Sequence, residues 1–290
     1  MTAHAASECA ACHPKQAAAH ERTNHAHTLR PVMATEFARA LPDGPIGEAR
    51  GGFLLSYTRA GDGLEVTAER DGQKTRARID WVLGAGDQGV TPLALLNGRW
   101  LEHRISYYTK PGRFDLTLGH QPGASESASA AIGVPQTEAT LRTCLGCHAT
   151  LGPGTTVVKT GVNCERCHAG ATEHARGGDL PHPTQLETCT ACHRLTPPTG
   201  DWNDPLNIRF QSLRLVKSKC YVSGRLACVA CHPPHENARR ADAAFYEARC
   251  VECHAKPHRT GGCLGCHMPK SSPAPYLSFT DHYIRVASRK

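Results

Sequence analysis

The chain has 290 residues, 40% of them hydrophobic and only 6% aromatic, with 27 Gly and 20 Pro, so its length suits one or two domains but its own side chains supply only a thin core. A formal charge of +7 invites a nucleic-acid or membrane-surface reading, which the bound groups inferred below remove. No apolar run approaches a membrane span, and Met1 to Glu8 carry neither a basic n-region nor an apolar stretch, so a mature chain without its export signal is expected.

In chain order, the first feature is Cys9-Ala-Ala-Cys12-His13. About 130 residues without cysteine follow, and then the same pattern returns six times: Cys144-Leu-Gly-Cys147-His148, Cys164-Glu-Arg-Cys167-His168, Cys189-Thr-Ala-Cys192-His193, Cys228-Val-Ala-Cys231-His232, Cys250-Val-Glu-Cys253-His254 and Cys263-Leu-Gly-Cys266-His267. Cys-x-x-Cys-His is the attachment signature of c-type haem. The two thiols add to the porphyrin vinyl groups, and the adjacent His reaches the iron as proximal ligand. With 18 His in the chain, His follows a given position by chance about one time in sixteen, so seven successes in seven are not chance. A zinc site pairs two Cys-x-x-Cys hairpins and does not require His after each, and a disulfide scaffold ignores the next residue.

Seven covalent haems c are therefore expected, supplying apolar interior that side chains lack. Their propionates bring about fourteen negative charges and their ferric cores about seven positive ones, which leaves the oxidised holoprotein near neutrality. Many Arg and Lys are expected to face propionates. Thioether attachment needs reduced thiols presented to an assembly system outside the cytoplasm, so the expected location is periplasmic or extracellular.

The cysteine-free stretch reads as strands. Phe53 to Thr58, Leu64 to Glu69 and Thr75 to Leu83 are separated by Asp62-Gly63 and Asp71-Gly72, and Val90 to Leu96, Trp100 to Tyr108 and Arg113 to Leu118 by Asn97-Gly98 and Lys110-Pro111-Gly112. Such pairs between alternating runs signal hairpins. The expected organisation is an N-terminal haem-binding segment at 1–45, an antiparallel meander of five or six strands at 46–120, a Gly/Ser/Ala/Pro-rich linker at 121–139 and a six-haem domain at 140–290. The fold class is thus a multihaem cytochrome c, mostly irregular with short α-helices wrapped around stacked haems and an inserted β-meander. The meander is read as scaffold, with substrate or partner contact as the alternative.

Eleven His lie outside the motifs, and seven would make every iron bis-His. Context puts His174, His235 and His282 first, one of His25 and His27 next, and keeps His20, His120 and His258 as further candidates; His4, His103 and His182 are not assigned. Cys220 is the one cysteine outside the motifs, readable as a buried thiol, a haem contact or an intermolecular crosslink.

The succession Asn163-Cys-Glu-Arg-Cys-His-Ala-Gly with His174, Ser218-Lys-Cys-Tyr before Ala227-Cys-Val-Ala-Cys-His-Pro-Pro-His, Cys266-His-Met-Pro-Lys and Phe279-Thr-Asp-His resembles the cytochrome c-554 / hydroxylamine oxidoreductase-like superfamily. The resemblance covers residues 5–30 and 140–290. It implies haems stacked in parallel and perpendicular pairs, with distal ligands from remote sequence at His25 or His27, His174, His235 and His282. Ala169-Gly170-Ala171 departs from the Gly-Pro-Gly frequent in relatives, and Tyr276 stands in a stretch where relatives can carry a His.

The first functional expectation is electron transfer to and from redox proteins or other cytochromes, with neither nucleic acid nor a transmembrane segment involved. The alternatives are a redox enzyme with one open haem acting on hydroxylamine, nitrite or sulfur oxyanions, and a subunit that self-assembles into an oligomer or an extracellular filament. No motif ends in Lys, the residue that leaves an open iron in the pentahaem nitrite reductases. Tyr276 and Tyr283 are read as packing residues.

Overall fold

The computed structural model describes residues 6–48, 52–179, 185–194, 201, 204, 207, 210–224, 226–255 and 261–286. Contacts divide the chain into two compact units, one holding Asn24–Asn163 and the other Ala6–Thr23 with Cys164–Lys290. This division differs from the boundaries expected from sequence. The first motif joins the last five, and the second motif belongs with the strands.

The first unit is built on a ten-stranded antiparallel sheet. Its strands are β1 Leu29–Pro31, β2 Ile46–Gly47, β3 Leu54–Ala60, β4 Gly63–Arg70, β5 Gln73–Leu83, β6 Gly89–Leu96, β7 Arg99–His103, β8 Ile105–Tyr108, β9 Arg113–Leu116 and β10 Gly133–Pro135. The main path runs β10-β7-β6-β5-β4-β3-β2, while β1 pairs with β5 and β8 pairs with β6 and β9. Asp71-Gly72 and Asn97-Gly98 turn as expected, all four with positive φ. The first hairpin turns one residue earlier than its Asp-Gly pair suggests. Gly61, at φ +62°, takes the left-handed position and Gly63 already begins β4.

The expected run Trp100 to Tyr108 is two strands, because the chain leaves the ladder at Arg104. There the Arg104 amide donates to the Ile132 carbonyl at 3.0 Å, and its carbonyl accepts from Thr117 at 2.8 Å. The Arg104 side chain fixes the corner, with Nε 2.6 Å from buried Glu48 and Nη2 donating to the carbonyls of Gln121 and Gly123. Burial alone would raise the Glu48 pKa, but hydrogen bonds from Ser125 and the Phe53 amide, with the Arg104 charge, bring it below the usual range.

These bonds tie down much of the stretch expected to be a linker. Within it Ser127 caps the helix Ala128–Ile132 by accepting from the Ala130 amide, and Ala128, Ala131 and Ile132 enter the main core beside Phe37, Phe53 and Ile79. Small apolar residues at helical spacing therefore form an anchor where composition suggested a spacer.

A bulge in β5 gives the sheet its second buried face. Ile79 pairs with Ala94 and Trp81 with Leu93, so Asp80 is the extra residue and alternation reverses past it. Ala77, Ile79 and Val82 face the main core, whereas Trp81 and Leu83 turn to the other side with Leu93. On that side they meet Leu141 and Leu145 of the helix Glu138–His148, which carries the second motif.

The second unit consists of short helices and turns with the hairpin Lys270–Ala274/Leu277–Thr280. Among its described residues the buried apolar side chains are Ala17, Leu213, Leu215 and Leu277. No described helix is long and apolar enough to cross a membrane.

Under the sheet, His103 is fully buried. Its Nδ1 meets the Ile132 carbonyl at 2.5 Å and its Nε2 meets the Tyr57 hydroxyl at 2.7 Å, so the neutral ring donates from Nδ1 and accepts at Nε2. Burial pushes His103 down from 6.5 to about 4. A folded pKa below the unfolded value means that stability is complete above about pH 6.5 and is lost as pH falls towards 4. Urea unfolding followed by far-UV circular dichroism is expected to show this loss, on the order of 2 kcal/mol by pH 4.5, with a flatter profile for His103→Gln. An identical profile in the variant would contradict it.

Candidate functional site

Each attachment motif is one turn of helix. The amide of the motif His donates to the carbonyl of the first Cys at 2.7 Å for His13, 2.8 Å for His168 and His193, 3.0 Å for His232 and 2.9 Å for His254. The second and seventh motifs lie within the helices Glu138–His148 and Cys263–His267. Helical spacing puts positions i, i+3 and i+4 on one face, so both thiols and the imidazole address the same side. Among the described residues no three or more His, Cys, Asp or Glu side chains converge as a metal site.

Three motif His face a His from remote sequence. His13 and His174 have ring centres 6.3 Å apart with 26° between planes, His168 and His235 6.1 Å and 23°, and His232 and His282 6.1 Å and 27°. Face-to-face rings in contact would be much closer. Two metal–imidazole bonds of about 2 Å, with about 1 Å from each nitrogen to its ring centre, place opposed axial rings about 6 Å apart. The residues therefore fit a haem iron between each pair.

The outer nitrogens are arranged for the same purpose. Nδ1 meets a backbone carbonyl in His148 (Thr28, 2.7 Å), His174 (Gly178, 3.0 Å), His267 (Arg285, 2.8 Å) and His282 (Thr280, 2.9 Å), so in each ring Nε2 is the nitrogen that could take a metal. Burial pushes His148, His193 and His282 down, and burial with the neighbouring His282 takes His232 to about 4. All four are thus neutral at pH 7, the form that binds metal.

The motifs of the second unit follow one another closely. Cys9 and Cys164 lie beside one another, as do Cys189 and Cys228. Cys167 neighbours Cys192, and Cys250 neighbours both Cys231 and Cys263. Cys220, half-buried on the helix Lys219–Val222, lies near Cys231 and Cys250. A hollow of about 320 Å³ opens beside Cys228, walled by Leu186, Tyr221, Gly224, Leu226 and Ala227.

Other candidate ligands are placed differently. His25 and His27 are exposed on the short turn His25–His27, whose His25 carbonyl accepts from the Val162 amide at 2.8 Å. His20 occupies the last turn of the helix Pro14–Glu21. His120 lies in the first unit with Nε2 3.2 Å from Glu102, so a carboxylate, and none of the three facing pairs, engages it. His258, like His4 and His182, lies outside the described residues. Sequence reading missed the carbonyl partners Thr28 and Arg285 and the carboxylate of Asp281, whose only sequence signal is its place beside His282.

Residues 117–169, spanning the second and third motifs, match the family model of cytochrome c554 and c-prime. No curated protein matches the sequence. Two solved structures resemble parts of the chain. One is the outer cell wall cytochrome OcwA, at TM-score 0.40 and 18% identity, covering 64% of this chain and 36% of that one. The other is the undecaheme cytochrome from the S-layer of Carboxydothermus ferrireducens, at TM-score 0.38 and 14% identity, covering 92% and 45%. The chain spans less than half of either. The repeated attachment turns, the facing His rings and the family match place it in the class of multihaem c-type cytochromes.

Replacing His174 or His235 by Ala is expected to convert one haem's worth of iron from low-spin to high-spin in the ferric electron paramagnetic resonance spectrum. Unchanged spectra in both variants would rule out these pairings as ligation.

Proposed function

We propose that the chain carries seven covalent haems c and passes electrons along them between redox proteins, in the periplasm or outside the cell. When bound, the haems supply one-electron redox chemistry. The observation that carries the reading is the set of facing pairs His13/His174, His168/His235 and His232/His282. An iron held by two imidazoles has no open position for substrate and changes oxidation state with little rearrangement.

The polypeptide's part is to hold those ligands neutral, oriented and close together. Fixed Nδ1 hydrogen bonds define the ring orientation, as backbone carbonyls do for metal-bound imidazoles in general. The cysteine contacts arrange the attachment turns of the second unit in the succession first, third, fourth, fifth, sixth, seventh. The second motif stands on the sheet through Leu141 and Leu145. For His148, His193, His254 and His267 the distal ligands come from His20, His25, His27, His258 or other remaining His. An exported location follows from the chemistry of thioether formation.

A haem-to-protein ratio of about seven is expected from the pyridine haemochrome assay. Reductive titration is expected to give overlapping one-electron waves, and cyanide or carbon monoxide to leave most of the spectrum unchanged. Stoichiometric binding of either ligand to several haems would overturn electron transfer through bis-His irons.

A further inference from the structure

The C-terminal segment of the second unit is held by a buried ionic knot that touches two attachment sites. Beyond the seventh motif the chain forms the hairpin Lys270–Ala274/Leu277–Thr280 and returns, with the Asp281 amide donating to the Pro269 carbonyl at 3.0 Å. The buried Asp281 carboxylate accepts from Arg214 Nε at 2.9 Å and Nη2 at 2.8 Å, from Arg285 Nη1 at 2.6 Å and from the Tyr283 amide at 2.9 Å. Ser218, four residues past Arg214 and fully buried, donates its hydroxyl to the His282 carbonyl at 3.1 Å and accepts from the Ile284 amide at 2.8 Å.

The two ends of this knot lead to different motifs. His282, next to Asp281, faces His232 of the fifth motif. Arg285 lies against His267 of the seventh, its carbonyl meeting His267 Nδ1 at 2.8 Å and its amide donating to the His267 carbonyl at 3.3 Å. Stability alone is a poor reason for such a knot, since a buried ion pair is often no more stabilising than apolar residues of the same volume. Its distinctive property is direction. A bidentate guanidinium–carboxylate pair fixes both partners in plane and angle.

We propose that Arg214, Asp281 and Arg285 act together as one positioning device for two haems, setting His282 opposite His232 and fixing the proximal His267 of the seventh motif. The inference rests on the bis-His reading above and deepens it. The two irons then share a support, so a disturbance at Asp281 reaches both, whereas loss of His282 itself opens one.

The test uses the holoprotein, read by electron paramagnetic resonance and spectroelectrochemistry. His282→Ala is expected to give high-spin iron equivalent to one haem. Asp281→Asn is expected to change the low-spin signals or spin state of the fifth-motif haem and to shift two of the redox waves, and Arg214→Lys, which keeps the charge but not the bidentate fork, to do the same more weakly. If His282→Ala leaves all iron low-spin, the ligand reading fails and the proposal with it. If His282→Ala opens one haem while Asp281→Asn leaves signals and potentials unchanged, or shifts a single wave, the shared device alone is overturned. Should Asp281→Asn fail to accumulate as holoprotein, Arg214→Lys and Ser218→Ala are judged by the same two-wave criterion.

Discussion

The hydrogen bond from each motif His amide to the carbonyl of its first Cys is the interaction on which the rest depends. It closes one helical turn, and that turn alone suffices to point two thiols and an imidazole to the same side. Because the requirement is so local, a motif can sit at the end of a regular helix, as in Glu138–His148, or in a four-residue turn, as in Cys164–Cys167. Nothing long needs to fold before the attachment face exists. The short helices of the second unit follow from this economy.

The two units show what happens with and without a conventional core. In the first, β-branched and aromatic residues alternate along antiparallel strands, and the Asp80 bulge turns Trp81 and Leu83 to a second face that receives the second motif's helix. In the second, four apolar side chains are buried among the described residues. The roughly 6 Å between paired ring centres is the spacing of two imidazoles sharing one metal rather than of rings packed in contact. On the proposed reading the haems are the core of that unit, and its low aromatic content is a consequence of what they supply.

What could be read in the sequence was whatever depends on near neighbours. The attachment turns are five-residue patterns, and the Asp71-Gly72 and Asn97-Gly98 hairpins need only two residues that tolerate positive φ. The first hairpin slipped because Gly61 competes with Gly63 for the same role, and local pattern does not choose between them. Ala128–Ile132 looked like spacer because Ala and Gly are ambiguous until a Ser127 cap and a buried Glu48–Arg104 pair are known to hold the segment. Similarly, sequence context ranks His120 below His174 but gives neither of them a partner. Only tertiary structure gives one a Glu102 carboxylate and the other the ring of His13.

The proposed distal ligands expose the limit most clearly, since each must cross a large sequence separation to meet its partner. His174 meets His13, His235 meets His168 and His282 meets His232, so each pair ties sequence segments that share no local pattern. A His brought in from so far is not oriented by an attachment motif, and its ring must be held by other contacts. The Gly178 carbonyl holds His174, and the Thr280 carbonyl with Ser218 and Asp281 holds His282. On the proposed reading, proximal His are thus fixed by the motif itself, while distal His are fixed by the fold. That asymmetry locates control of iron coordination in residues that carry no attachment signature.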